Sequence, residues 1–202
     1  SLKTLRTMEM ARVLLACGVA LPFVYFGSQL LAMALNPQFD IATQQPSELG
    51  CCGAHVPIIA NLGFLATGAV AMAGGIGLLL GLQQTGSNLV LAVLAAMGMF
   101  LFGVAMMMSG TFPLPDPRHY GFGLFPAGLL APLFGALALR NGGAVRWIAF
   151  SSFAASALLV AFMSGLGGVV TAANLGYFSR AVALVAFPTM AFLCWTVRQR
   201  SR

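Results

Sequence analysis

The sequence predicts an all-α polytopic membrane protein, a bundle of six transmembrane helices with the N- and C-termini in the cytoplasm. Hydrophobic residues make up 59% of the 202 residues and charged residues only 7%, whereas a soluble domain carries about 25% charged residues. So few charges cannot cover a water-exposed surface, which predicts an integral membrane protein. The 24 glycines agree with this class, because small residues let membrane helices approach each other closely.

The net charge of +6 raises the question of nucleic-acid binding, and the placement of the basic residues argues against it. They stand in short clusters beside apolar runs rather than along one soluble face. We therefore expect the lipid bilayer as the partner, together with other membrane subunits if the protein belongs to a complex, and no nucleic acid.

The first predicted span covers 11–35, with Lys3 and Arg6 before it and Arg12 at its start. At about 25 residues it is longer than the roughly 7–15 residues of a signal-peptide core, so we predict a membrane span rather than a cleaved leader. Pro22 is expected to bend it, and neighbouring helices can satisfy the carbonyl that proline leaves free. The segment 36–54 is predicted to be a loop.

The second span is predicted over 57–82 and the third over 88–110. Pro57 suits the first turn of a helix, and the short uncharged link 83–87 suits a hairpin back through the bilayer. Small residues recur every fourth position in the second span, which predicts a tight helix contact. They are Gly63, Thr67, Ala71 and Gly75.

The last three spans are predicted over 121–139, 147–168 and 177–197. Pro126 and Pro132 break the fourth of the six, and a membrane helix tolerates such breaks only when neighbours satisfy the backbone. The fifth carries a second stripe of small residues, which predicts another close contact. The stripe consists of Ala157, Ala161 and Gly165.

The basic residues predict the orientation. Six spans place both termini on one side, which would hold eight of the ten Lys and Arg residues, against Arg118 and Arg180 on the other. The positive-inside rule then puts the termini in the cytoplasm. Three of the four acids and both histidines fall on the outer, periplasmic side. The predicted location is the inner (plasma) membrane of a prokaryote.

Polar side chains at the outer side form the candidate site, which we call the outer polar cluster. Ionisable groups at membrane depth are costly and usually face the bundle interior or water. Arg180 begins the sixth span, and we expect Glu48 or Asp116 to pair with it; the alternative is an arginine that extends to the interface alone. The cluster consists of Glu48, His55, Asp116, His119 and Arg180.

Two motifs resemble the DUF998 family of multi-pass prokaryotic membrane proteins. PSELG at 46–50, followed by a helix with Asn61, Gly63 and Gly68, resembles that family's SDLG/SELG segment, and SGTFPLPDP at 109–117 resembles its FP-x-DP loop. Members often carry a histidine in the helix after this loop. This chain has GFGLFPAG there, and its nearest histidine is His119. The resemblance implies the architecture and no established activity.

The residue types at the outer side suggest several chemistries. His55, His119 and Asp116 are of the types that bind zinc, but no HxxxH, HExxH or CxxC spacing organises them. Cys51 and Cys52 could form a strained vicinal disulfide in an oxidising periplasm, or bind copper with methionines of the third span. Ser47 with a histidine and an acid could act as a hydrolytic triad, but the G-x-S-x-G elbow is absent. The sequence does not identify a cofactor.

Three function classes follow. The favoured hypothesis is a non-catalytic membrane protein, either an accessory subunit of a larger complex or a binder of a lipid or another apolar ligand. The alternative is an intramembrane hydrolase or metal-dependent enzyme using the outer His, Asp and Glu residues. A small transporter ranks third, because no acid, Lys or His lies at mid-membrane in the predicted spans.

Overall fold

The computed structural model describes residues 2–51 and 53–201 and confirms the predicted fold class. None of these residues forms a strand, and six helical segments among them are long and apolar enough to cross a membrane. The protein is therefore a helical, multi-pass membrane protein.

The α-helices are interrupted by loops that contain short 3₁₀ helices. The six α-helices are α1 (Leu2–Ala34), α2 (Pro57–Gln84), α3 (Leu89–Thr111), α4 (Leu130–Ala138), α5 (Gly143–Met163) and α6 (Leu175–Arg200). The 3₁₀ helices are Pro46–Gly50, Pro117–Gly123, Phe125–Leu129 and Leu166–Gly168. α1 begins well before the predicted span at 11, because the helical backbone continues through the basic N-terminal segment.

Both chain termini lie at the same end of the bundle. The Nε of Arg198 donates to the carbonyl of Arg12 at 3.2 Å, and Arg200 Nη1 donates to the carbonyl of Arg140 at 2.9 Å. We call this the termini end. The opposite end, the loop end, contains the segments 36–51, 53–56, 112–129 and 164–174, and Arg180 lies near it in the first turns of α6. The cytoplasmic placement of the termini stays a prediction.

α2 lies between α1 and α3 and packs closely against both. A Cβ on Gly68 would lie 2.7 Å from the carbonyl oxygen of Gly103 in α3. The predicted stripe of small residues on α2 serves two neighbours rather than one. Gly63 faces Ser28 of α1, whereas Gly75 faces Ala96 of α3.

The fourth predicted span is only partly α-helical. Two 3₁₀ helices come first, and α4 is confined to Leu130–Ala138. Gly121 and Phe122 adopt left-handed backbone angles with φ of 57° and 51°, and Pro126 has no N–H to donate to a helix. The chain therefore enters the bundle as an irregular segment before it becomes a helix.

The contact face of α5 differs from the predicted stripe. Its buried residues are Ala149, Ser152 and Ser156, and Ser152 Oγ donates to the carbonyl of Val185 in α6 at 3.2 Å. Gly165 follows the helix with φ of 103°, and a Cβ there would meet no atom within 4 Å. Gly165 therefore helps to end the helix rather than to form a helix contact.

Candidate functional site

The loop between α1 and α2 is anchored by a short hydrogen-bonded turn. Pro46 opens the 3₁₀ helix Pro46–Gly50, where a missing N–H costs nothing. The carboxylate of Glu48 accepts from the Gln45 N–H at 2.7 Å and from Gln44 Nε2 at 3.3 Å. Glu48 thereby caps the turn, and Ser47 lines a cavity.

Asn61 ties this loop to α2. Its Nδ2 donates to the carbonyl of Gly50 at 2.9 Å. A Cβ on Gly50 would collide with Asn61 Oδ1, so only glycine leaves room for the amide. This contact explains physically why PSELG is followed by an asparagine in the next helix.

Asp116 and Arg118 pair with each other in the loop after α3. Asp116 caps the 3₁₀ helix Pro117–Gly123 by accepting from the Arg118 N–H at 2.9 Å, and its other carboxylate oxygen accepts from Arg118 Nη2 at 2.7 Å. The guanidinium carbon also lies 3.9 Å from the centre of the Phe112 ring. The hydrogen bonds from Arg118 lower the pKa of Asp116 to about 2. Asp116 is therefore a structural carboxylate committed to its neighbour.

Arg180 is held by backbone carbonyls rather than by an acid. Its Nη1 donates to the carbonyls of Ile41, Gln44 and Gly176 at 3.0, 2.9 and 2.9 Å. Among the described residues, neither Glu48 nor Asp116 forms an ion pair with it. The predicted carboxylate partner is thus replaced by the 41–44 loop, which folds over the guanidinium.

Glu48 and His55 share a small pocket of about 230 Å³ at the loop end. Asn36 joins the two sides of this pocket, because its Nδ2 donates to the Ala32 carbonyl at 2.7 Å and its Oδ1 accepts from the His55 N–H. The His55 side chain itself is exposed. His55 is therefore fixed through its backbone and not through its ring.

His119 is buried, with 4% of its surface exposed. Its Nδ1 lies 3.0 Å from the carbonyl of Phe112, and Ser109 Oγ donates to the His119 carbonyl at 2.6 Å. The ring is in edge contact with the rings of Phe64 and Tyr120. His119 lines a different cavity from the pocket of Glu48 and His55.

The five residues of the outer polar cluster therefore all lie at the loop end but do not converge on one centre. Among the described residues, no group of three or more His, Cys, Asp or Glu side chains is placed to hold a metal ion. The metal candidates His55, His119 and Asp116 are engaged in separate contacts. Cys52 lies outside the described residues, so the disulfide and copper hypotheses for Cys51 and Cys52 stay predictions.

A cavity of about 410 Å³, which we call the main cavity, lies between the helices at the loop end. Its polar rim brings together the two sequence motifs, since Ser47 of the first and Ser109 of the second both line it with His119. Its floor consists of apolar side chains, namely Phe102, Met106, Leu129, Phe187 and Met190. Along α6 the wall runs from Ser179 to Met190, a depth of about 16 Å at 1.5 Å per residue.

Sequence reasoning located part of the rim but missed the main cavity. Its α6 and α5 walls, which include Phe187 and Val160, look in the sequence like ordinary apolar positions of membrane helices. One signal was present: Pro126 and Gly128 lie in a predicted span, and an irregular backbone at membrane depth occurs where it is buried in protein or lines a cavity.

Comparison with known proteins adds the family. No curated protein matches the chain significantly, and no solved structure does. The family described as "Protein of unknown function (DUF998)" matches residues 17–196, a range that includes both motifs and all of the residues of the outer polar cluster. The match covers most of the chain and confirms the resemblance of its motifs, and this membrane protein belongs to the DUF998 family.

Proposed function

We propose that the protein binds a lipid or another apolar ligand in the main cavity and does not transform it. The cavity of about 410 Å³ carries this proposal, because small-molecule sites span about 300–1,000 Å³ and are mostly apolar with a few placed polar groups. Such a concave space differs from the outward-facing apolar surface that any membrane protein presents to lipid.

The polarity gradient of the main cavity supports an amphiphilic ligand. Its rim carries the hydroxyl groups of Ser47 and Ser109 and the imidazole of His119, whereas its depth is lined by Phe102 and Met190. A molecule with a polar head and an apolar tail would match this gradient, with the head at the loop end and the tail inside the bundle.

The contacts of His119 favour binding over catalysis. Ser47 and His119 line the same cavity, as the hydrolase hypothesis requires. However, His119 Nδ1 contacts the Phe112 carbonyl, where a triad needs a carboxylate to orient the imidazole and stabilise its cation. Asp116 is committed to Arg118. The hydrolase, transporter and accessory-subunit hypotheses stay predictions beside the one proposed.

We further propose the inner (plasma) membrane of a prokaryote as the location, with the loop end in the periplasm. The support is the basic termini end, where described arginines include Arg12, Arg146 and Arg198. In this orientation the rim of the main cavity would open toward the outer leaflet.

Photolabelling tests the proposed site directly. The protein in lipid nanodiscs is incubated with a diazirine analogue of hexadecanol, irradiated and digested, and the labelled residues are identified by mass spectrometry. We expect labels on residues that line the main cavity. Ala183→Phe should reduce this labelling about tenfold, because Ala183 lines the cavity and is 3% exposed and the larger ring would fill the space.

Leu184→Phe is the matched control. It introduces the same ring one residue further along α6, where the side chain is 59% exposed on the outer face of the bundle. It should leave the labelling of the cavity unchanged. Labels confined to lipid-facing positions, with equal yield in both variants, would contradict the proposed function.

A further inference from the structure

The main cavity contains no charged side chain among the described residues that line it. Its polar groups are hydroxyls, an amide and the imidazole of His119. Burying an ion in such surroundings without a partner costs several kcal/mol or more. A ligand that carries a carboxylate or phosphate would have to bring its charge here uncompensated.

The two arginines at the loop end make their hydrogen bonds outside the main cavity, and Nε and Nη2 of Arg180 are buried without a hydrogen-bond partner. Arg180 Nη1 donates to three carbonyls beneath the 41–44 loop, and Arg118 is paired with Asp116. Neither residue lines the main cavity. The cavity is therefore suited to an uncharged headgroup.

The hydrogen bond of the His119 ring decides which of its two nitrogens is left to accept another. A carbonyl oxygen can only accept, so the contact of Nδ1 with the Phe112 carbonyl at 3.0 Å places the proton on Nδ1. In a neutral imidazole the lone pair is then on Nε2. Nδ1 is the ring nitrogen in that contact, and the ring, which is almost fully buried, lines the main cavity.

The direction of this acceptor is fixed by the surrounding structure. Ser109 holds the backbone of His119 from α3, and the imidazole lies between Phe64 and Tyr120, with ring centres 6.5 and 5.7 Å away. A ligand group would therefore meet an acceptor that is already oriented, which lowers the entropic cost of binding.

We infer that the ligand is an uncharged amphiphile whose hydroxyl group donates a hydrogen bond to Nε2 of His119 while its apolar tail occupies the floor of the main cavity. This inference rests on the proposed function and names the ligand class. His119 is then the residue that selects for a hydroxyl-bearing head. A buried acceptor left unpaired costs free energy, so ligands that lack a donor bind less tightly.

Three competitors of matched chain length test the inference in the photolabelling experiment. They are hexadecanol, which has a donor, hexadecyl methyl ether, which has none, and hexadecanoate, which is an anion. In the wild-type protein hexadecanol should compete about tenfold more strongly than the ether, the effect of one buried hydrogen bond. Hexadecanoate at neutral pH should compete least.

His119→Asn removes the selecting group specifically. The asparagine amide can still donate toward the Phe112 carbonyl, but its acceptor Oδ1 is one bond too short to reach the position of Nε2. The preference for hexadecanol over the ether should disappear while competition by the ether is unchanged. His55→Asn is the matched control, because His55 lies outside the main cavity, and it should keep the tenfold preference.

The outcomes separate the two proposals. Labelling of the cavity with equal competition by hexadecanol and the ether overturns the inference and leaves the proposed function in place. Strongest competition by hexadecanoate also overturns it, because the site would then accept an anion. An absence of cavity labelling overturns the proposed function itself. If His119→Asn fails to fold, the three competitors in the wild-type protein still test whether the site prefers an uncharged ligand with a hydroxyl group.

Discussion

Gly50 and Asn61 show how single residues position the rim of the main cavity. The amide of Asn61 occupies the space that a Gly50 side chain would take, and it bonds the Gly50 carbonyl. This contact fixes the 3₁₀ helix Pro46–Gly50 against α2. Ser47 on that helix thereby reaches the main cavity.

Gly50→Ala should destabilise the protein by about 1–3 kcal/mol, because the added methyl group displaces Asn61 and breaks a buried hydrogen bond. Thermal unfolding in detergent measures the effect.

Asn61→Ala should cost a similar amount, and the double variant should cost much less than the sum, since both changes remove the same contact. Gly27→Ala, at an exposed helical position with open space, should be neutral or slightly stabilising. Additive effects at 50 and 61 would contradict the contact.

The lowered pKa of Asp116 predicts how the stability of the protein changes with pH. Its folded pKa is lowered from 3.8 to about 2, so it contributes stability above its ordinary pKa, and the contribution is lost as pH falls through about 2. Unfolding temperatures of the wild type and of Asp116→Asn should differ at neutral pH and converge toward about pH 2. Arg118→Gln removes the cause of the shift, so it should move the convergence to higher pH. A difference that persists unchanged at the acid limit would argue against the ion pair.

The residues of the outer polar cluster could be predicted from the sequence, but their partners could not. The sequence predicts that Arg180 needs a partner at the edge of the membrane, and its Nη1 has partners, whereas its Nε and Nη2 have no hydrogen-bond partner among the described residues. The compensation comes from the carbonyls of Ile41 and Gln44, which are more than 100 positions away along the chain. Every residue has a backbone carbonyl, so the sequence does not show which carbonyls will bind an arginine. Residue types alone therefore predict a carboxylate as the partner.

At the scale of elements, the chain between α3 and α4 was predicted correctly as an apolar segment and incorrectly as a helix along its whole length. Hydropathy predicted a span over 121–139, and the helical segments over Pro117–Ala138 are apolar enough to cross a membrane. The two prolines and the left-handed turn at Gly121 and Phe122 replace its first half by 3₁₀ turns. Neighbouring side chains can fill the space beside such an irregular segment or leave a cavity there. Which of the two occurs depends on packing, and hydropathy gives no information about packing.

Arg180 and the 41–44 loop give a test at this scale. Arg180→Met should release the loop, because one charged donor bonds two of its carbonyls, and each such bond contributes about 1.5–3 kcal/mol. Hydrogen exchange of the amides in 39–45 should accelerate. Glu48→Gln is the control, since an amide oxygen can still accept from the Gln45 N–H and Arg180 does not depend on the carboxylate. Equal acceleration in both variants would revive the carboxylate pairing.

At the scale of the whole molecule, the predicted orientation remains to be measured. Ala172 is exposed at the loop end and Gln84 at the termini end, so cysteines can be placed there in a background lacking Cys51 and Cys52. A membrane-impermeant maleimide should label Ala172→Cys on intact cells. It should label Gln84→Cys only after permeabilisation. The reverse pattern would place the termini outside and contradict the positive-inside assignment.

The main cavity belongs to the whole bundle rather than to any one motif. Its lining comes from α1, α2, α3, α5 and α6 together with the segments around Ser47, His119 and Gly128. The sequence predicted the helices and that the two motifs lie at the same end of the bundle, because both follow from hydropathy. The space between them arises from how an irregular fourth segment packs against α3 and α6.

The central claim is that this cavity is a binding site occupied by a membrane amphiphile. An experimental density map of the protein in lipid nanodiscs tests it most directly. We predict an elongated density that begins at His119, passes Phe187 and reaches Met190, and that is absent in the Ala183→Phe variant. A map in which side chains close this space, or in which it is empty with native lipid present, would contradict the account.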